Sequence, residues 1–235
     1  MNLQSPPAPL VIPAPSLTTL PVRGTDARFP VRRVYCVGRN YAAHAVEMGH
    51  DPDKEPPFFF QKSPDNLLTD GADFHYPPMT EDVHHEIELV VALSAGGRDV
   101  PIAQAMDLVY GYAVGLDMTR RDIQAGLKKA SRPWEAAKAF ENSAPCSELV
   151  PAAEIGHPVE GAIWLKVNGE LRQEGDLTQL IWKVGEVIAE LSRLFELAPG
   201  DLIMTGTPSG VAAVHRGDEL HGHIAGIGDL KTRVI

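Results

Sequence analysis

The sequence predicts an α+β fold built on a mixed, curled sheet, and three features carry that expectation. Runs of β-branched and aromatic residues outnumber helical stretches. They do not alternate regularly with helices, as a doubly wound parallel sheet requires. The chain also holds 20 prolines and 21 glycines in 235 residues, which favour turns and irregular connections over long helices.

Taken in order, residues 1–32 form a Pro-rich arm, because proline removes backbone donors and fixes φ. Residues 17–22 within it suit a short edge strand. A single domain is expected over 33–235. It opens on Val34-Tyr35-Cys36-Val37, a buried strand closed by Gly38. Tyr41 to Met48 reads as a short helix, Asp51 to Pro57 as a loop and Phe58 to Gln61 as a strand. Glu86 to Leu93 and Tyr110 to Asp117 are further strands. Thr119-Arg120-Arg121-Asp122 has the form of a capping box opening a helix that runs through Lys129. Ile163 to Val167 is a strand, and Asn168-Gly169 signals a hairpin. Apolar residues from Leu180 to Phe195 recur at helical spacing and mark the longest amphipathic helix, with Thr178 as its N-cap. A strand at Asp201 to Thr205, a Gly-Thr-Pro-Ser-Gly turn and two short strands complete the chain.

Acids number 31 and bases 21, for a formal net charge of −10. That surplus repels phosphate backbones and anionic lipid, so neither nucleic acid nor a membrane surface is an expected partner. No apolar run is long enough to span a bilayer, and the N-terminus lacks the basic start of a secretory signal. Cytoplasmic residence is the default expectation. Cys36 and Cys146 give no disulfide framework and no zinc spacing, so two buried reduced thiols are expected.

Four constellations carry chemistry. In His85-Glu86-Ile87-Glu88-Leu89 a strand turns Glu86 and Glu88 to one face. Like charges there repel and resist burial, which a hard divalent cation resolves; a solvated edge-strand face fits the pattern equally well. Asp117 ends an apolar strand and offers a third carboxylate, or serves as a turn acid. His44 and Glu47, at i and i+3, share a helix face, which suits a general base or an exposed ion pair. Lys138 stands in the largely apolar Trp134-Glu135-Ala136-Ala137-Lys138-Ala139-Phe140, either desolvated and aimed at an anion or snorkelling at the surface. In Thr205-Gly206-Thr207-Pro208-Ser209-Gly210, two glycines let backbone approach a ligand closely, but the spacing is not that of a P-loop.

Together and in order, GRNYAAHAVEM, HHEIEL, GLDMTRRDIQ, AKAF, KVNGELRQEG and PGDLIMTGTPSGV resemble the fumarylacetoacetate hydrolase family. The resemblance spans Arg33 to Ile235. It implies a mixed β-roll, usually homodimeric, with one Mg2+ or Mn2+ ion per chain held by Glu86, Glu88 and Asp117. It implies His44 and Glu47 as the water-activating pair and Lys138 as a further catalytic residue. Substrate contacts fall on Gln124 and Thr207, with Arg39, Tyr41, Lys62 and Arg121 beside them. The implied reaction is hydrolysis of a carbon–carbon bond in an acylpyruvate, with 3-fumarylpyruvate of gentisate breakdown the favoured substrate. The alternative is an acylpyruvase, or a decarboxylase or tautomerase of oxaloacetate, on the same metal site. One departure is Lys62-Ser63-Pro64, where the family shows Lys-Pro, so the position of Lys62 against the ligand is open.

Overall fold

A computed structural model of the chain describes residues 9–42 and 56–235. Its strands, in chain order, begin with β1 (Thr19–Val22), β2 (Thr25–Pro30), β3 (Arg33–Gly38), β4 (Phe58–Lys62), β5 (Leu67–Leu68) and β6 (Val83–His84). Next come β7 (Ile87–Leu93), β8 (Val109–Leu116), β9 (Thr119–Arg120), β10 (Ala144–Pro145), β11 (Val150–Pro151) and β12 (Ala162–Val167). The last are β13 (Glu170–Asp176), β14 (Asp201–Met204), β15 (Ala213–Val214), β16 (Glu219–Ile224) and β17 (Gly228–Arg233). The helices are α1 (Ile102–Ala105), α2 (Arg121–Lys129), α3 (Glu135–Lys138), α4 (Ala152–Ile155) and α5 (Val184–Leu194).

A six-stranded sheet in the order β11-β8-β7-β14-β3-β4 forms the centre. Within it β14 and β3 run parallel and the other neighbours antiparallel, so the sheet is mixed as the sequence predicts. A four-stranded antiparallel sheet, β13-β12-β16-β17, packs on one side. Strand alternation sorts the residues between the two faces of the central sheet. Tyr35, Leu89, Val91 and Val114 meet Ile163, Leu165 and Ile224 of the four-stranded sheet and Ile188 and Leu191 of α5. Val34, Cys36, Val90, Ala113 and Leu202 turn the other way, onto Leu20, Val22 and Phe29 of the β1–β2 hairpin. Residues 19–31 of the arm thus contribute core, each fully buried aliphatic side chain adding about 1.5–3 kcal/mol.

The second face is also where Glu88 lies, because β7 pairs with β8 in a register that sets Glu88 across from Gly115. A Cβ on Gly115 would stand 2.5 Å from Val90 Cγ2, so a larger residue there would push aside the valine that shares this face with Glu88. The hairpin at Asn168-Gly169 forms as expected, both residues having positive φ (52° and 81°), the signature of a type I′ turn. Cys36 and Cys146 are buried and unpaired, and burial pushes the Cys146 thiol up to about 12. No helix of the described residues is long and apolar enough to cross a membrane.

Two sequence expectations are corrected. Thr119 does not cap α2: it belongs to β9, Arg120 holds the N-cap position, and no side chain closes that cap. The Thr119 hydroxyl instead lies 3.2 Å from the Asp117 carbonyl oxygen and 3.4 Å from Glu86 Oε1. Nor does Thr178 open the longest helix. It sits in a 3-10 turn, Leu177–Gln179, capped by Asp176, and α5 starts only at Val184. Tertiary hydrogen bonds explain the delay. Ile181 N donates to the Asn40 carbonyl and Trp182 N to Asn40 Oδ1, both bonds taking the backbone out of helical pairing. Of the helix expected at Tyr41 to Met48 and the loop at Asp51 to Pro57, residues 43–55 lie outside the described residues.

Candidate metal centre and substrate pocket

Three backbone segments converge to build the site. Glu86 and Glu88 bracket the start of β7, Asp117 follows β8, and the Thr205–Gly210 turn follows β14. Asp117 N donates to the Glu86 carbonyl at 2.8 Å, which fixes the two strand ends against each other. The result brings one carboxylate oxygen from each of Glu86, Glu88 and Asp117 within 4.8 Å of the others, all three residues buried. The solvated edge-strand alternative falls, since β7 lies between β8 and β14.

Cations answer two of the acids. Lys138 Nζ donates to Glu86 Oε2 at 2.9 Å and to Asp117 Oδ2 at 2.6 Å. Arg121 Nη2 donates to Glu86 Oε1, and Lys62 Nζ stands 2.9 Å from Asp117 Oδ1. Burial opposes the charge on Lys138, but Asp117 and Glu86 outweigh it and hold its pKa above the ordinary lysine value. Lys138 is therefore desolvated, not snorkelling at the surface.

Glu88 differs. It is 2 % exposed, accepts one backbone hydrogen bond from Gly206 N at 2.8 Å, and has no cation within ion-pair distance among the described residues. Burial, then the charges of Asp117 and Glu86, push its carboxyl well above the usual range. A buried carboxylate without a counter-charge, facing two others, is the chemistry a hard divalent cation satisfies. The donor set fits Mg2+ or Mn2+, leaving coordination positions for oxygen ligands from solvent or substrate. Gly206 is needed for this arrangement: at φ +99° a Cβ there would meet Asn40 Cβ at 2.8 Å.

The acids open onto a pocket that is partly open to solvent. Arg39, Arg121, Gln124, Thr207, Phe58 and Trp134 all line it. Gln124 is buried on α2 and accepts from Arg121 Nη1 at 2.7 Å. Arg39 has positive φ (60°) and places its guanidinium 5.7 Å from the Phe58 ring centre. Thr207 accepts a hydrogen bond from Gln173 Nε2 at 2.8 Å.

Not every expected contact reaches the pocket. Lys62 has no exposed side-chain surface and spends its ammonium on Asp117, the carbonyls of Met118 and Lys138, and Ser143 Oγ. That places it behind Asp117 rather than against a ligand. Tyr41 is buried at a bridge with Leu180, its hydroxyl without a partner among the described residues and pushed up by burial and by Glu88. His44 and Glu47 lie outside the described residues.

Two contributors escaped sequence reasoning. Lys128 lines the pocket from α2, four residues beyond Gln124 and seven beyond Arg121, a helical spacing that could have revealed it. Gln173, in β13, has no such signal. Its Oε1 lies 2.8 Å from His85 Nδ1 and 3.1 Å from Ile87 N, while its Nε2 donates to Thr207 and to Pro208 O. Those donations fix the amide orientation, so His85 Nδ1 carries the proton. Burial pushes His85 down to about 4, which keeps the ring neutral. Gln173 thereby ties the start of β7 to the Thr-Gly-Thr-Pro-Ser-Gly turn.

Mixed sheets that bring three acids to their strand ends, with lysine and arginine behind and a pocket in front, define a metal-binding enzyme class. Comparison with known proteins narrows it. The family model for the fumarylacetoacetate (FAA) hydrolase C-terminal domain matches residues 33–235. A fumarylpyruvate hydrolase from Ralstonia sp is 48% identical over 190 residues, 80% of this chain and 98% of that protein. A mitochondrial oxaloacetate tautomerase from Rattus norvegicus is 43% identical over 203 residues, 86% of this chain and 91% of its own. The crystal structure of fumarylpyruvate hydrolase from Pseudomonas aeruginosa in complex with Mn2+ and pyruvate superposes with a TM-score of 0.95 at 52% identity, covering 97% of this chain and 99% of that one. The chain belongs to the fumarylacetoacetate hydrolase family. It is a hydrolase of the class that acts on carbon–carbon bonds with Mg2+ or Mn2+ as its cofactor, and its acidic triad could hold such an ion.

Proposed function

We propose that the chain hydrolyses acylpyruvates in a divalent-metal-dependent reaction, with 3-fumarylpyruvate, split to fumarate and pyruvate, as its substrate. The observation that carries this reading is Glu88, a buried acid that has no cation among the described residues beside two acids that do, at the floor of a pocket rimmed by arginine and lysine. The similarity to two fumarylpyruvate hydrolases supports the choice of acyl group.

A bound divalent cation would supply Lewis-acid stabilisation of negative charge at the oxo-acid end. The chain's own groups do the rest. Arg121 and Lys138 orient Glu86, and Lys62 and Lys138 orient Asp117, so the two acids present fixed oxygens. Gln124, positioned by Arg121, offers its amide to the substrate, and Thr207, held by Gln173, its hydroxyl. His44 and Glu47 act as the water-activating pair. The water oxygen bonds to the acyl carbonyl carbon, the bond from that carbon to the methylene breaks, and the electron pair leaves with the pyruvyl fragment, which takes up a proton. A homodimer in the cytoplasm, serving gentisate breakdown, completes the proposal.

A second reading is tautomerisation or decarboxylation of oxaloacetate, which the relationship to the tautomerase favours. An assay of the Mn2+- or Mg2+-loaded chain with fumarylpyruvate, acetylpyruvate and oxaloacetate separates the two. The expected result is the highest kcat/KM with fumarylpyruvate. Turnover of oxaloacetate with no acylpyruvate cleavage overturns the proposal.

A further inference from the structure

The pocket extends beyond the acids along α2 and an aromatic wall. Lys138 Nζ stands 5.2 Å from the Phe60 ring centre, Phe60 lies 6.0 Å from Trp134, and Trp134 meets Phe58 edge-on at 5.0 Å. Lys128 Nζ lies 5.1 Å from the Trp134 ring, at the far end of this series. Two rings, Phe60 and Trp134, thus link the lysine that touches the acids to a second lysine, with Phe58 packed against both rings. Lys128 has no carboxylate within ion-pair distance among the described residues. The side chain is half-buried, and Arg121, Arg39 and Lys138 are the charges that bear most strongly on it alongside Glu86. A partly desolvated cation among three others is a place where an anion gains most.

We propose that Lys128, with Phe58, Phe60 and Trp134, forms a subsite for a planar unsaturated acyl group that ends in a carboxylate, Lys128 being the charge that selects it. This rests on the acylpyruvate reading above and deepens it. Dimensions support the assignment. Arg121, which holds Glu86, and Lys128 are seven residues apart, so about 10 Å of α2 separates them. Six carbon–carbon bonds of about 1.5 Å put the two carboxyl carbons of fumarylpyruvate roughly 7 Å apart, a span that side chains at both ends can bracket. Oxaloacetate has only three bonds between its carboxyl carbons, half the span of fumarylpyruvate, and acetylpyruvate has no second carboxylate to offer. The flat conjugated segment of a fumaryl group lies well against aromatic faces, which an acetyl group leaves uncovered.

The test compares kcat/KM for fumarylpyruvate with that for acetylpyruvate in the Mn2+-loaded full chain and in Lys128→Gln and Lys128→Arg. The ratio of the two constants is expected to fall about tenfold or more in Lys128→Gln, through KM for fumarylpyruvate, and to stay within about threefold of wild type in Lys128→Arg. Because the readout is a ratio, a general loss of folding lowers both constants and leaves it unmoved. An unchanged ratio in Lys128→Gln, with wild type cleaving fumarylpyruvate, overturns the role of Lys128 alone. A wild-type chain that does not cleave fumarylpyruvate overturns the functional reading and this subsite with it.

Discussion

Replacing Glu88 by Gln should stabilise the metal-free protein and abolish its response to metal, and the opposite signs make the test sharp. In the metal-free chain Glu88 is buried, faces Asp117 and Glu86, and among the described residues holds the Gly206 N–H alone in compensation. A glutamine keeps an acceptor for Gly206 and presents an amide donor to the neighbouring acids. The sign follows from linkage. Burial and the neighbouring charges of Asp117 and Glu86 hold the folded-state carboxyl of Glu88 well above the ordinary carboxylate range, so the folded chain binds this proton more tightly than the unfolded one. Wild type therefore keeps its stability below the ordinary carboxylate range and loses it as pH rises toward the folded value. At pH 5 the variant and wild type should differ little. Near pH 8 Glu88→Gln should be the more stable by about 1–3 kcal/mol, the usual cost of an uncompensated buried polar group. For a chain of 235 residues that is a rise of roughly 3–10 °C in Tm. Adding Mn2+ at 100 times its Kd should stabilise wild type by about 2.7 kcal/mol and the variant by far less. Thermal unfolding of chelator-stripped protein, with and without Mn2+ across pH 5–8, reads all of this. A variant no more stable than metal-free wild type at pH 8, or one that Mn2+ stabilises equally, would refute the reasoning.

Other perturbations follow from the same contacts. Lys62→Met removes the ammonium that stands against Asp117 and Ser143 and leaves a buried acid with one cation fewer, so chemical denaturation should show a loss of about 3 kcal/mol or more; a loss under 1 kcal/mol would contradict the buried pairing. Gly206→Ala sets a Cβ 2.8 Å from Asn40 Cβ at a φ of +99°, and should cost about 1–3 kcal/mol together with a weaker Mn2+ affinity by calorimetry; unchanged affinity would mean that the Gly206 N–H does not position Glu88.

Much of the site was legible because it follows from strand geometry. Alternation alone sets Glu86 and Glu88 on one face, and the abrupt acid after Ala113-Val114-Gly115-Leu116 marks Asp117. The hairpin at Asn168-Gly169 was equally local, being a matter of two residues that tolerate positive φ. What misled were local signals with distant competitors. Thr119 has the right type and spacing for a cap, but its hydroxyl is drawn to Asp117 and Glu86. Thr178 precedes a helical pattern, but Asn40 claims the intervening backbone from more than a hundred residues away. Lys62 is the same lesson at the site: only the folded chain brings Met118, Lys138 and Ser143 round its ammonium and turns a candidate substrate contact into a support for Asp117. Gln173 joins β13 to β7 and the glycine turn, a meeting no spacing in the sequence foretells.

The net charge bears on how the anion arrives. At long range a chain of formal charge −10 repels a dicarboxylate, whereas the pocket rim presents Arg39, Arg121 and Lys128. Salt weighs these two fields by distance. At 0.01 M ionic strength the Debye length is about 30 Å, longer than the pocket, so the whole-molecule repulsion is felt; at 0.1 M it is about 10 Å, and at 1 M about 3 Å. Screening should remove the distant repulsion before it weakens the partly buried rim. If encounter contributes to kcat/KM, that constant for a dianionic substrate should rise between 0.01 and about 0.1 M salt and fall again toward 1 M, while a monoanionic acylpyruvate shows a shallower curve. A steady fall from the lowest salt upward would mean that the rim cations dominate at every distance and that the acidic surface lies away from the approach to the pocket.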